Sequence, residues 1–109
     1  MRTIQEADWK YMSKLKPALL ERLCNHILDQ IQAESRLEKR SVGAHEQYLR
    51  VFKLVADQDK LVADCFDGWS RSKLFEKIAF LYRYKVITPE ELLGLSEETR
   101  DILRLLARK

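Results

Sequence analysis

AHEQYLRVFKLVADQDKLVADCF, residues 44–66, decides how this chain folds. Tyr48, Phe52, Val55, Val62 and Phe66 recur at three- and four-residue intervals, the spacing of one helical face, so the stretch predicts a helix from Ala44 to Phe66. One position interrupts the face. Asp59 stands between Val55 and Val62, and a carboxylate on a buried stripe is costly unless it is paired and hydrogen-bonded. Just past Asp67-Gly68-Trp69, the segment Ser70-Arg71-Ser72 offers a cation and hydroxyls. The expectation is a partly buried Asp59 held by Arg71, with Ser72 and Tyr48 completing a buried polar or anion-binding site.

Working outward, Lys39-Arg40-Ser41-Val42-Gly43 reads as a short polar connection. Before it, Leu20, Cys24, Ile27 and Ile31, flanked by Leu23 and Leu28, keep one apolar face from Pro17 to near Glu38. Short connections make long helices antiparallel neighbours, so these two helices should form a hairpin. Thr3-Ile4-Gln5-Glu6 has the form of a capping box, opening a short first helix with Ile4, Trp9 and Met12 inward, which Pro17 ends.

Beyond residue 66, Gly68 suits a helix C-terminus, and Ser70 is the expected N-cap of a fourth helix running to about Lys85. Thr88-Pro89-Glu90-Glu91 combines an N-cap, a first-position proline and a third-position glutamate, the clearest helix start in the chain. Gly94 stops that helix, and Ser96 caps a last one carrying Ile102, Leu103 and Leu106. No segment alternates with the period of a strand. The expected fold is all-α: a compact bundle of five or six helices with a long antiparallel hairpin, one domain over residues 1–109.

The 109 residues are 46% hydrophobic and 34% charged, with 3 Gly and 2 Pro, a makeup that excludes disorder. The net charge of +3 lies wholly in the last third, where residues 71–109 hold 9 basic and 6 acidic side chains against 11 of each before them. That bias is well short of a nucleic-acid footprint. Cys24 and Cys65 fall in helical patterns without a Cys-x-x-Cys pair, which suits core packing in a reducing compartment. The expectation is a cytoplasmic chain with no cofactor, metal or membrane span.

His45-Glu46 opens the long helix, but Leu49 stands where His-Glu-x-x-His needs its second histidine. No nucleophile, base and oxyanion set assembles, so an enzyme is not expected. On the fourth helix Lys73, Lys77, Phe80 and Tyr84, flanked by Arg83, place two aromatics along a basic stripe. Such a stripe suits stacked bases or a protein partner, while the bland alternative packs Phe80 and Tyr84 under the last helix or in a dimer contact. Arg100, Arg104 and Arg108 form a second row, most simply a solvated face.

His45-Glu46-Gln47-Tyr48-Leu49, Asp57-Gln58-Asp59, Ala63-Asp64-Cys65-Phe66-Asp67 and Arg71-Ser72 resemble a pattern in small, all-helical bacterial proteins of unknown function. The resemblance continues through Ile87-Thr88-Pro89-Glu90-Glu91 and Ser96-Glu97-Glu98-Thr99-Arg100, with Leu15-Lys16-Pro17 through Cys24 similar as well, and so covers most of the chain. It implies a compact bacterial cytoplasmic protein and supplies no reaction or catalytic residue. The functional expectation is a non-enzymatic helical module that binds a protein partner or its own copy. The alternative is a nucleic-acid-binding accessory protein using the basic-aromatic face of the fourth helix.

Overall fold

Pro17 does not break the first helix. In the computed structural model, which describes residues 3–36 and 41–107, α1 runs unbroken from Glu6 to Ser35 with Pro17 inside it. An interior proline removes one backbone hydrogen bond and costs about 3 kcal/mol in an isolated helix. Here Met12 and Leu19, both fully buried, pin the turns on either side, while Pro17 itself points to water. Burial outweighs propensity, and the two helices expected before residue 38 are one of 30 residues, about 45 Å long.

α2 spans Ala44–Phe66 and packs antiparallel on α1. A single 3-10 turn, Arg71–Lys73, leads into α3, Leu74–Arg83, followed by α4, Pro89–Leu92, and α5, Glu97–Ala107. The fold is therefore an all-α bundle, as the periodicities required, and no strand occurs among the described residues. The expected end of the second helix near Glu38, Lys39-Arg40 and Arg108 lie outside the described residues. The molecule is elongated, 52 × 23 × 23 Å, because α3, α4 and α5 gather at one end of the hairpin.

The core sits at that end: Met12, Leu19 and Leu23 from α1, Cys65 and Phe66 from α2, Leu74, Ile78 and Leu81 from α3, with Val86, Ile87, Leu95 and Leu103. Asp8 joins it, 2% exposed, and ties α1 to α5. Its carboxylate accepts from the Ser96 amide at 2.8 Å and from the Ser96 and Thr99 hydroxyls at 2.6 Å each. Lying in the first turn of α1 and against the start of α5, it is an anion at the positive ends of two helices.

Local signals hold unevenly. The Thr88 capping box forms as written, and Gly68 takes the left-handed conformation (φ 68°). The Thr3 box does not: Gln5 is the N-cap of α1, and Glu6 pairs elsewhere. Past α3, Lys85 adopts φ 60°, with Val86 N–H donating to the Leu81 carbonyl at 2.8 Å and Lys85 N–H to that of Tyr82 at 3.1 Å. This paired closure normally uses glycine in the left-handed position. Lys85→Gly is expected to raise stability by about 0.5–1 kcal/mol, read as a higher urea midpoint with unchanged slope.

Gly94 serves packing. A Cβ there would lie 2.2 Å from the Tyr11 ring, whose hydroxyl donates to the Glu91 carbonyl at 2.6 Å.

Candidate functional site

The polar site expected around Asp59 does not assemble. Asp59 is exposed and Tyr48 is 63% exposed. Arg71 instead grips Glu6 with two bonds of 3.0 and 2.8 Å while lying 4.7 Å over the Trp9 ring, and this contact holds the Glu6 carboxyl below its usual range. The Ser72 hydroxyl meets that of Ser70 at 3.3 Å. The reason is geometric: Asp59 stands on the flank of α2 that α3 does not cover.

The expected basic-aromatic face on α3 is also dismantled. Lys77 turns inward, 6% exposed, and donates to the Asp64 carbonyl at 2.9 Å, satisfying an orphan carbonyl in the last turn of α2. Tyr84 is half-buried and donates to the Asp64 carboxylate at 3.0 Å. Phe80 stacks on Tyr84 and packs against the core, with the Arg83 guanidinium 5.6 Å over its ring. Lys73 and Arg83 stay exposed. Phe80 and Tyr84 are thus packing residues, with Tyr84 held against the end of α2 rather than under the last helix.

What the structure leaves open is the flank of α2 itself. Gln47, Val51, Leu54, Gln58, Leu61 and Cys65 are its least exposed line, and the buried Gln47 donates its amide to the Glu34 carbonyl of α1. That contact ties the start of α2 to the end of α1. The row one residue on, His45, Tyr48, Phe52, Val55, Asp59, Val62 and Phe66, is turned about 100° away from α1. Only its last members are covered: Phe66 is buried beside Trp69, and Val62 is half-buried. Tyr48 and Phe52 are each 63% exposed and Val55 43%.

The opposite flank of α2 has another composition altogether. Glu46, Arg50, Lys53, Asp57, Lys60 and Asp64, all six charged, line it. In an antiparallel pair, residues one step beyond the contact line fall on the same side of both helices, so Cys24, Leu28 and Ile31 of α1 continue the apolar flank. Leu28 is an exposed large apolar side chain there. The result is a largely apolar surface two helices wide, facing away from α3 and α4, while the six charged residues of α2 line the other side.

Other features do less. A groove of about 440 Å³ between α3, α4 and α5 is lined by Tyr82, Leu92, Leu93, Arg100 and Arg104. Arg104 is already paired with Asp101. Burial pushes the Cys65 thiol up to about 11, keeping it protonated and unreactive at neutral pH. His26 meets Gln30 at 3.2 Å, and His45 is exposed at the start of α2. Among the described residues no three His, Cys, Asp or Glu side chains gather as ion ligands would. No helix among them is long and apolar enough to cross a membrane.

No protein-family model, curated protein or solved structure matches the chain.

Proposed function

We propose that this chain is a non-enzymatic helical protein-interaction module whose docking surface is the apolar flank of the α1–α2 hairpin. The observation that carries the reading is the contrast on α2: six charged residues line one flank, and Tyr48, Phe52 and Val55 stand open on the other. A solvated helix face has no need of an exposed Phe and Tyr on successive turns, whereas aromatic anchors at the centre of a patch with its charge at the edge are what protein interfaces use. The line that meets α1 contains Gln47 and Gln58, so the outward line is the more apolar of the two near its exposed end. Nucleic acid is the poorer occupant, because the outward row of α2 carries no Lys or Arg.

A photo-crosslinking residue placed at position 52 or at position 53, in cells that make the protein, tests this reading. Position 52 should give a discrete protein adduct that Tyr48→Glu abolishes, and position 53 should not. A nuclease-sensitive adduct would transfer the chain to the nucleic-acid reading, and no adduct at position 52 would remove the docking surface.

A further inference from the structure

We propose that the apolar flank pairs with the same flank of a second copy of this chain, antiparallel about a two-fold axis through Phe52, closing two hairpins into a four-helix bundle. The inference rests on the docking reading above and names its occupant.

The two-fold is written in the row itself. His45 and Asp59 stand seven residues on either side of Phe52, two helical turns each, on one flank. Laying the row on its reversed copy places Phe52 on Phe52, Tyr48 beside Val55, and His45 against Asp59 at both ends. A parallel pairing would instead set Asp59 on Asp59. Glu21, exposed on the same side of α1 as Cys24 and Leu28, adds a second carboxylate at the Asp59 end, so a parallel pairing would bring four acids together. An imidazole and a carboxylate able to hydrogen-bond therefore meet only in the antiparallel arrangement, and they meet twice. Among the described residues Asp59 makes no ion pair within its own chain.

Size is sufficient for a weak specific contact. From His45 to Val62 the row runs about 26 Å, and two helices side by side are about 20 Å wide. Each copy thus offers roughly 500 Å² and the pair roughly 1,000 Å², at the lower limit for a specific interface.

Analytical ultracentrifugation of the full chain from about 5 to 500 µM, a range that brackets such a weak interface, should show a monomer–dimer equilibrium. Phe52→Glu should weaken it at least about tenfold while leaving the circular dichroism spectrum and melting temperature unchanged, because the side chain is exposed. Geometry is read by His45→Cys and Asp59→Cys, made separately in a Cys24→Ser background. Mixed under mild oxidation they should yield a disulfide-linked dimer, and neither alone should, since the two copies of position 45 lie about 20 Å apart.

A monomer across the concentration range overturns the proposal, as does either cysteine variant linking to itself or co-sedimentation of the chain with anionic vesicles instead. A monomer that still gives a photo-adduct of different mass at position 52 overturns self-pairing alone and leaves the docking reading standing. Loss of both removes both.

Discussion

Asp8→Ala should destabilise the fold by about 3–4 kcal/mol, the largest single-site effect expected outside the apolar core. Three donors converge on this carboxylate: the Ser96 amide, the Ser96 hydroxyl and the Thr99 hydroxyl. Removing it leaves them without their acceptor in a place where Thr99 is 1% exposed, and each stranded donor costs about 1–3 kcal/mol. The Ser96 hydroxyl also accepts from the Thr99 amide at 3.3 Å, so the start of α5 loosens with it. For a domain of this size the melting temperature should fall by at least about 12 °C in calorimetry. Asp8→Asn keeps one acceptor oxygen but turns an NH2 group toward the hydroxyls, and should fall between the two. Asp59→Ala and Arg71→Ala should leave the melting temperature nearly unchanged. A small effect at Asp8 would show that the α1–α5 junction is not what holds the last helix.

Acid should weaken the protein through Glu91. This carboxylate accepts from both terminal nitrogens of Arg22, at 2.7 and 3.1 Å, and from the Thr88 amide at 2.9 Å. The Arg22 contact, aided by Thr88, lowers its pKa from 4.5 to about 2. The folded chain therefore favours the charged form more than the unfolded chain does. That stability is fully present above pH 4.5 and is lost as pH falls toward 2. The shift alone would correspond to about 3 kcal/mol at 1.36 kcal/mol per unit. With the Arg22 side chain 42% exposed, solvent screening reduces this to about 1–2 kcal/mol. Glu91→Gln retains an oxygen for the Thr88 amide but no charge. Urea midpoints for the two proteins should differ at pH 7 and draw together as pH falls to about 2; parallel curves would assign the acid sensitivity to other carboxylates.

Arg22 shows why this junction escaped sequence reading. Besides Glu91, it donates to the Val86 carbonyl at 2.6 Å, and Tyr11 reaches the Glu91 carbonyl over Gly94. The Thr88 box is local and was legible from four consecutive residues. Its use as an anchor for α1 depends on residues 69 and 80 positions away. Asp8 was legible by the argument applied to Asp59: it lies between Ile4 and Met12 on an apolar row, a carboxylate where burial demands partners. The criterion was sound, and only the choice of acid failed. Arg71 likewise met a carboxylate, but that of Glu6 rather than Asp59.

By itself the sequence determined the all-α class, α2 from Ala44 to Phe66, the antiparallel hairpin, the left-handed Gly68 and the capped start of α4. Each follows from periodicity or from a few neighbouring residues with fixed backbone preferences. Tertiary structure decided the rest. It carried α1 through Pro17, because burial of Met12 and Leu19 outweighs one lost hydrogen bond. It turned Lys77 and Tyr84 inward onto the end of α2. Above all, it chose between two neighbouring rows on α2. Both keep the helical period, so spacing alone does not say which faces a partner. Packing turned the row with Gln47 and Gln58 toward α1, and α3 docks through Lys77 on the Asp64 flank of α2, which leaves Tyr48, Phe52 and Val55 open on the other.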